Sequence, residues 1–105
     1  MRSQTVEARP EIEYPRADET VVSSQYTLRI SAPSSVDGVD VSIDQGQWLS
    51  CRNEVGYWWY DWSGYEDGEH EVIARVRGKA GRWRMSDPHE FRVVTTVPVE
   101  STQAV

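Results

Sequence analysis

Residues 39–62 limit what this chain can fold into more than any other stretch, and they hold four of its five tryptophans. The sequence VDVSI at 39–43 alternates apolar and polar side chains, which is the period of a strand with one buried face. The sequence DQGQ at 44–47 predicts a tight hairpin turn in which Gly46 adopts positive φ. A further strand is predicted at 57–62, YWWYDW, because aromatic residues are enriched in strands. This stretch therefore predicts a hairpin-rich β fold.

Alternating apolar residues recur along the chain between turn signals. Prolines flank residues 11–14 and predict an edge strand there, because a proline in a central strand would remove a ladder hydrogen bond. No segment has a helical period. With turn signals about every 8 to 12 residues, the pattern predicts an all-β, antiparallel sandwich of about seven strands. The candidate strands are residues 11–14, 24–32, 39–43, 48–52, 57–62, 69–77, 82–85 and 91–97.

The chain has 105 residues, which is enough for one domain with a single modest core. We expect residues 10–97 to form this sandwich. Residues 1–9 and 98–105 are polar or small and lack periodicity, so we expect flexible arms that order only against another surface.

Composition excludes several classes of function. Eleven basic and seventeen acidic residues give a net charge of −6, which repels phosphate backbones and anionic membranes, so neither nucleic acid nor membrane is an expected partner. Cys51 is the only cysteine, which rules out an intramolecular disulfide and favours a reducing, cytoplasmic location. No apolar run resembles a signal peptide or approaches the ~20 residues that span a bilayer.

Two motifs resemble segments of known domains. The sequence VDVSIDQGQW at 39–48 resembles the strand, turn and tryptophan of bacterial immunoglobulin-like and fibronectin-type-III-like domains, and DGEHEVIARVRGKAG at 67–81 resembles the strand and turn that follow. Similar segments occur in the C-terminal immunoglobulin-like domain of the sulfite oxidase family and in accessory domains of secreted glycosidases. The resemblance covers residues 10–97 as topology and implies an immunoglobulin-like β-sandwich, without implying an activity.

His70 occupies the position at which antibody-type domains carry a corner tyrosine, and Val72 the position of their strand F cysteine. Leu28 or Ile30 stands where the partner cysteine would be, so we expect apolar packing to replace the inter-sheet disulfide. We interpret His70 as a structural histidine that forms hydrogen bonds at this corner, in preference to a catalytic or metal-binding role.

The sequence offers no convincing catalytic, metal or cofactor site. The acidic residues near His70 lack the spacing of a dedicated calcium loop. Serines lack the G-x-S-x-G context, phosphate-binding glycine loops are missing, and His89 beside Pro88 is expected to be exposed. Cys51 is expected to be a partly buried, inert thiol. We therefore predict that the protein is not an enzyme and needs no cofactor.

The tryptophans are the stronger functional signal. Trp58 and Trp59 are adjacent and must face opposite ways on a strand, so one of them should fill the core. One stripe would be Trp58, Tyr60 and Trp62, and the other Tyr57, Trp59 and Asp61. The stripe outside the core would be covered by Arg29, Arg75 or Arg77, by a protein partner, or by a sugar stacked on its rings.

Residues 75–85, which we call the basic hairpin, contain five basic residues and no acid, whereas the rest of the chain is strongly acidic. Such a hairpin could dock an acidic surface or stack through Trp83. The alternative is a solvated hairpin whose charges pair with acids on neighbouring strands.

The sequence thus predicts a non-catalytic protein-interaction module, an accessory subunit or adaptor of a larger assembly, that binds through an aromatic stripe and the basic hairpin. The alternative is a carbohydrate-binding module that uses Trp58, Trp59, Trp62 and Tyr65. The predicted binding residues are Trp58, Trp59, Tyr60, Trp62, Tyr65, Arg75, Arg77, Lys79, Arg82, Trp83 and Arg84.

Overall fold

The computed structural model describes residues 9–33, 36–78 and 83–95, and this part of the chain forms ten strands and no helix. The strands are β1 (Glu11–Tyr14), β2 (Thr20–Val21), β3 (Gln25–Ser31), β4 (Gly38–Ile43), β5 (Leu49–Ser50), β6 (Arg52–Glu54), β7 (Tyr57–Ser63), β8 (Gly68–Arg77), β9 (Trp83–Met85) and β10 (His89–Val93).

The strands form two sheets that pack face to face. The first sheet has the order β1-β3-β7-β6, and the second has the order β2-β10-β8-β4-β5, with β9 paired to the far end of β8. All pairings are antiparallel except the short parallel pairing of β2 with β10. The predicted immunoglobulin-like sandwich is confirmed, and β1 is an edge strand as its flanking prolines predicted.

The core lies between the sheets and is built from the apolar positions of the alternating strands. Val72 and both candidates for its partner position, Leu28 and Ile30, are fully buried, so apolar side chains fill this part of the core. Among the described residues, the hydrophobic core cluster consists of Ile12, Val21, Leu28, Ile30, Val39, Val41, Val72, Ala74, Val76, Phe91 and Val93.

The turn after β4 differs from the prediction by one position. Positive φ falls on Asp44 (55°) and Gln45 (63°), and Gly46 instead donates its backbone N–H to the Ile43 carbonyl at 3.0 Å. Asp44 accepts this conformation because aspartate tolerates the left-handed region and because its carboxylate accepts a hydrogen bond from the backbone N–H of Glu71. Glycine is favoured at 46 by space, since a Cβ there would lie 3.2 Å from the Ile43 oxygen.

The predicted strand at 48–52 is divided between the two sheets. Its first part, β5, belongs to the second sheet, and the chain then crosses at Cys51 into β6 of the first sheet. The Cys51 backbone N–H donates to the Val39 carbonyl at 2.9 Å, which fixes the crossing. Burial, together with the charge of Asp40, raises the pKa of the Cys51 thiol to about 12, as suits an inert thiol.

The β6–β7 turn contains a strained residue that can be relieved by substitution. Val55 is 87% exposed and has φ of 54°, followed by Gly56 at 82°, which is the pattern of a type I′ turn. A β-branched residue is disfavoured there, so Val55→Asn is expected to raise the free energy of unfolding by about 1 kcal/mol. Urea denaturation would measure this, with exposed Val22→Asn as a control expected to change by less than about 0.5 kcal/mol. A Val55→Asn protein no more stable than wild type would contradict the account.

Candidate functional site

The alternation of β7 places its tryptophans on opposite faces. Trp58, Tyr60 and Trp62 are half-buried and pack against the core, whereas Trp59 lies on the outer face of the first sheet. The register explains this arrangement, because Tyr60 and Trp58 lie directly across from the buried Leu28 and Ile30 of β3. Trp58 is therefore the core tryptophan of the adjacent pair.

The residues proposed for sugar stacking do not form one surface. Trp58 and Trp62 point towards the core and Trp59 points away from it, because residues of even and odd number lie on opposite faces of a strand. Tyr65 stacks on Trp62 with ring centroids 3.8 Å apart, and its hydroxyl donates to the Ser23 carbonyl at 2.6 Å. Tyr65 and Trp62 thus pack the loop end of the sandwich, and the four residues named for sugar binding are divided between the two faces of the first sheet and this loop.

Arg29 packs against aromatic rings on the outer face of the first sheet, although its buried Nε has no hydrogen-bond partner. The Arg29 guanidinium lies over the rings of Tyr14 (4.8 Å) and Tyr57 (4.4 Å) and pairs with Glu13 at 2.8 Å. The Trp59 ring N–H donates to the Glu54 carbonyl at 2.9 Å. Arg29 therefore covers Tyr57 of this stripe, and Trp59 is held by its own hydrogen bond to Glu54.

The outer face of the second sheet is arranged around Arg75. Its guanidinium lies 4.2 Å from the Trp48 ring and 3.9 Å from the Trp83 ring, and its Nε donates to Asp40 at 3.0 Å. Arg77 lies 5.7 Å from the Trp83 ring on the same side of β8. Trp48 and Trp83 are 35 residues apart in sequence and are brought together by Arg75.

This surface also contains exposed apolar area. Trp83 is 39% exposed and Met85 is 53% exposed, and both lie on the outer side of β9, opposite Arg77 and Arg75 respectively. We call the set of Trp48, Arg75, Arg77, Trp83 and Met85 the tryptophan–arginine face. It combines a stack of arginine and tryptophan side chains with the exposed apolar surface of Trp83 and Met85.

The other members of the basic hairpin do not all join this face. Arg84 is paired with the buried Val76 and so lies on the opposite side of β9 from Trp83, where its guanidinium donates to the Trp83 carbonyl at 3.1 Å. Lys79 and Arg82 lie outside the described residues. Sequence reasoning missed Trp48 and Met85, because their positions depend on the registers of three strands.

His70 agrees with its predicted role, whereas His89 does not. Both ring nitrogens of His70 have partners, and Nε2 reaches the carbonyl of Glu66 at 2.7 Å, four residues upstream, as expected for a corner residue. His89 is not an exposed loop residue as predicted, because it begins β10, is half-buried and contacts the Pro15 carbonyl through Nδ1 at 3.0 Å. Within the described ranges, no three His, Cys, Asp or Glu side chains are grouped to hold a metal ion.

The same ranges contain no helix that is long and apolar enough to cross a membrane.

Two facing sheets of mostly antiparallel strands around one apolar core define an immunoglobulin-like sandwich. Solved structures share this fold. The fibronectin(III)-like modules of Clostridium thermocellum CbhA match with a TM-score of 0.71 and 18% identity, over 85% of this chain and 99% of theirs. Neither a protein-family profile nor a curated protein matches the sequence.

Two longer proteins contain a similar segment. An engineered protein matches with a TM-score of 0.69 and 22% identity over 84% of this chain, and this chain spans 20% of its length. A modular endo-beta-1,4-mannanase from Cellulomonas fimi matches with a TM-score of 0.62 and 24% identity over 84% of this chain and 19% of the mannanase. At these identities the likeness establishes the fold alone.

Proposed function

We propose that this chain is a non-catalytic protein-interaction module, an accessory part of a larger assembly, that docks through the tryptophan–arginine face. The observation that carries the proposal is the exposure of Trp83 and Met85, side by side on one face of β9. Similar folds that occur as segments of much longer proteins support a modular role.

The residue types of this face and the fixed conformation of its Arg75 side chain favour a protein partner. Tryptophan, methionine and arginine are enriched in protein interfaces, and tryptophan and arginine dominate interface hot spots. The Arg75 side chain is held between two rings and by Asp40, so little conformational entropy remains to be lost when a partner binds.

The charge of the face defines the chemistry of the partner. Arg77 is exposed at the edge of the apolar patch, and Asp40 on the neighbouring strand is engaged by Arg75. A complementary surface would have an apolar centre that covers Trp83 and Met85 and a carboxylate rim that meets Arg77. A second copy of this chain presents the same basic rim, so an acidic partner is favoured over a symmetric dimer through this face.

Trp83→Ala is expected to weaken binding of the partner by about 30-fold or more, which is the size of a hot-spot loss. A partner isolated by affinity capture would first be purified, and its dissociation constant would then be measured by calorimetry. Trp59→Ala is the matched control, because it removes the same side chain from the opposite outer face and should change affinity by less than about threefold. Equal losses in both variants, or a loss confined to Trp59→Ala, would contradict the proposal.

Carbohydrate binding is the second candidate, and the exposed ring of Trp83 favours it. One matched structure is a mannanase, so mannan oligosaccharides are the first sugars to test. Titration followed by tryptophan fluorescence would report stacking. A response that disappears in Trp83→Ala would favour the sugar, and no response together with a defined protein partner would eliminate it.

A further inference from the structure

His70 is held rigidly at the loop end of the sandwich, where the β4–β5 turn meets the β7–β8 loop. Its side chain is 11% exposed. The ring stacks on Phe91 with centroids 5.8 Å apart, and it contacts Trp62 edge-on at 5.1 Å. Packing on two sides leaves the imidazole little freedom to turn, so its hydrogen bonds are set by position.

Both partners of the His70 ring are hydrogen-bond acceptors. Nδ1 lies 2.6 Å from the carboxylate Oδ2 of Asp44, and Nε2 lies 2.7 Å from the backbone carbonyl of Glu66. A neutral imidazole has one N–H and one lone pair, so it can donate to only one of these oxygens. Only the imidazolium, which has an N–H on each nitrogen, forms both hydrogen bonds at once.

We propose that His70 is a proton-operated clamp, which in its charged form ties the β4–β5 turn to the β7–β8 loop and on losing a proton releases the Glu66 peptide of that loop. This inference goes beyond the proposed docking role and does not depend on it. The turn and the loop meet at the wall of a cleft of about 480 Å³, so the proton on His70 controls the shape of that cleft.

The loop, rather than the turn, is the side that is released. Asp44 is fixed to β8 by further bonds, since its backbone N–H donates to the Glu71 carbonyl at 2.8 Å and its Oδ1 accepts from the Glu71 N–H at 2.9 Å. The charged carboxylate also retains the remaining N–H of a neutral imidazole more strongly than a carbonyl does. The neighbours of Glu66 are tied elsewhere, because Tyr65 bonds to Ser23 and the Asp67 carboxylate accepts from Thr95. The movement is therefore confined to the Glu66 peptide.

The surroundings of His70 are predominantly acidic. Burial is the largest single effect and disfavours the charged ring, but the hydrogen bonds to Glu66 and Asp44 and the charges of both residues outweigh it, so the pKa of His70 is raised. The cleft of about 550 Å³ beside the ring is lined by further carboxylates. The charged or titratable groups around the ring are Asp44 from the turn, Tyr65 and Glu66 from the loop, Glu69 and Glu71 from β8, and Glu90 and Arg92 from β10.

The sign of the pH dependence follows from the raised pKa. His70 contributes stability that is fully present below the unfolded-state pKa, about 6.5, and that is lost as pH rises through the folded-state pKa. The urea midpoint of the wild type should therefore exceed that of His70→Gln by more at about pH 5.5 than at about pH 8.5.

A proton NMR titration of the full chain tests the clamp directly, with His70→Gln used to assign the His70 resonance. The imidazole should titrate above its ordinary value, and the backbone amides of Glu66 and Asp67 should shift with the same midpoint. An imidazole that titrates at or below the ordinary value would overturn the proposal, as would loop amides that do not move with it.

Asp44→Asn separates the clamp from simple packing, because asparagine keeps the turn conformation but removes the charge that holds the imidazolium. The midpoint of His70 should move downward in this variant, together with the shifts of the Glu66 and Asp67 amides. If the midpoint of His70 is the same in Asp44→Asn as in the wild type, Asp44 does not hold the proton and the proposal is wrong.

Discussion

Replacing Phe91 with alanine is expected to lower the free energy of unfolding by about 4 kcal/mol, the largest effect of any single substitution considered for this chain. Phe91 is 1% exposed and lies on β10 between the ring of Trp62, 5.5 Å away, and that of His70. Removal of the ring leaves a cavity between the sheets at the loop end, and the rigid strands on both sides limit how far it can close. Urea unfolding followed by circular dichroism would measure the loss.

Phe91→Leu is the matched control, because it keeps an apolar side chain of similar volume and should cost less than about 1.5 kcal/mol. If alanine and leucine cost the same, the ring contacts would contribute little. A loss below about 1 kcal/mol for Phe91→Ala, with an unchanged slope against urea, would show that this end of the sandwich is not closely packed.

Trp62→Ala is expected to cost about 3 kcal/mol, whereas Trp59→Ala, on the same strand, is expected to cost about 1 kcal/mol. Trp62 packs against the core and contacts Phe91, His70 and Tyr65. Trp59 lies on the outer face, where it contacts Tyr57 edge-on and donates one hydrogen bond to the Glu54 carbonyl. Urea unfolding of both variants would compare the two faces of β7, and equal losses would contradict the assignment of Trp62 to the inner face.

The double variant of Trp62 and Phe91 gives a further check on the same contact. The two rings touch, so removing either one already loses their mutual contact, which the sum of the single losses counts twice. The double variant should therefore lose less stability than the sum of the single variants, by more than about 0.5 kcal/mol. Additive losses would show that the contact between the two rings contributes nothing to stability.

Most of the fold could be predicted from sequence because its long strands carry a clear two-residue period. Strands β3, β4 and β8 have buried apolar residues at every second position, and their predicted extents agree with the structure within a few residues. β2 has two residues, too few to show a period, and its parallel pairing with β10 depends on contacts 72 residues away. The turn after β4 was misplaced because the glycine signal is local, whereas the bond from Glu71 that stabilises Asp44 is distant in sequence.

The candidate site could be predicted only in part. Local alternation placed Trp58 and Trp59 on opposite faces but left open which of them was inside, and that choice depends on the pairing of β7 with β3. The residues that contact Trp83 were even harder to predict from the sequence. Arg75 and Met85 are directly opposite across β8 and β9, but Trp48 reaches the same face from beyond a turn on the other side of β4. The run of basic residues indicated the basic hairpin from sequence. The pairing of β8 with β9 decides which of its residues lie on the same face.

The crossing at Cys51 gives this chain a thiol of low reactivity where the backbone passes from one sheet to the other. Desolvation of this half-buried side chain keeps the thiol protonated at neutral pH. Since the thiolate is the form that alkylating reagents attack, Cys51 should be alkylated slowly in the folded chain and faster once the chain unfolds.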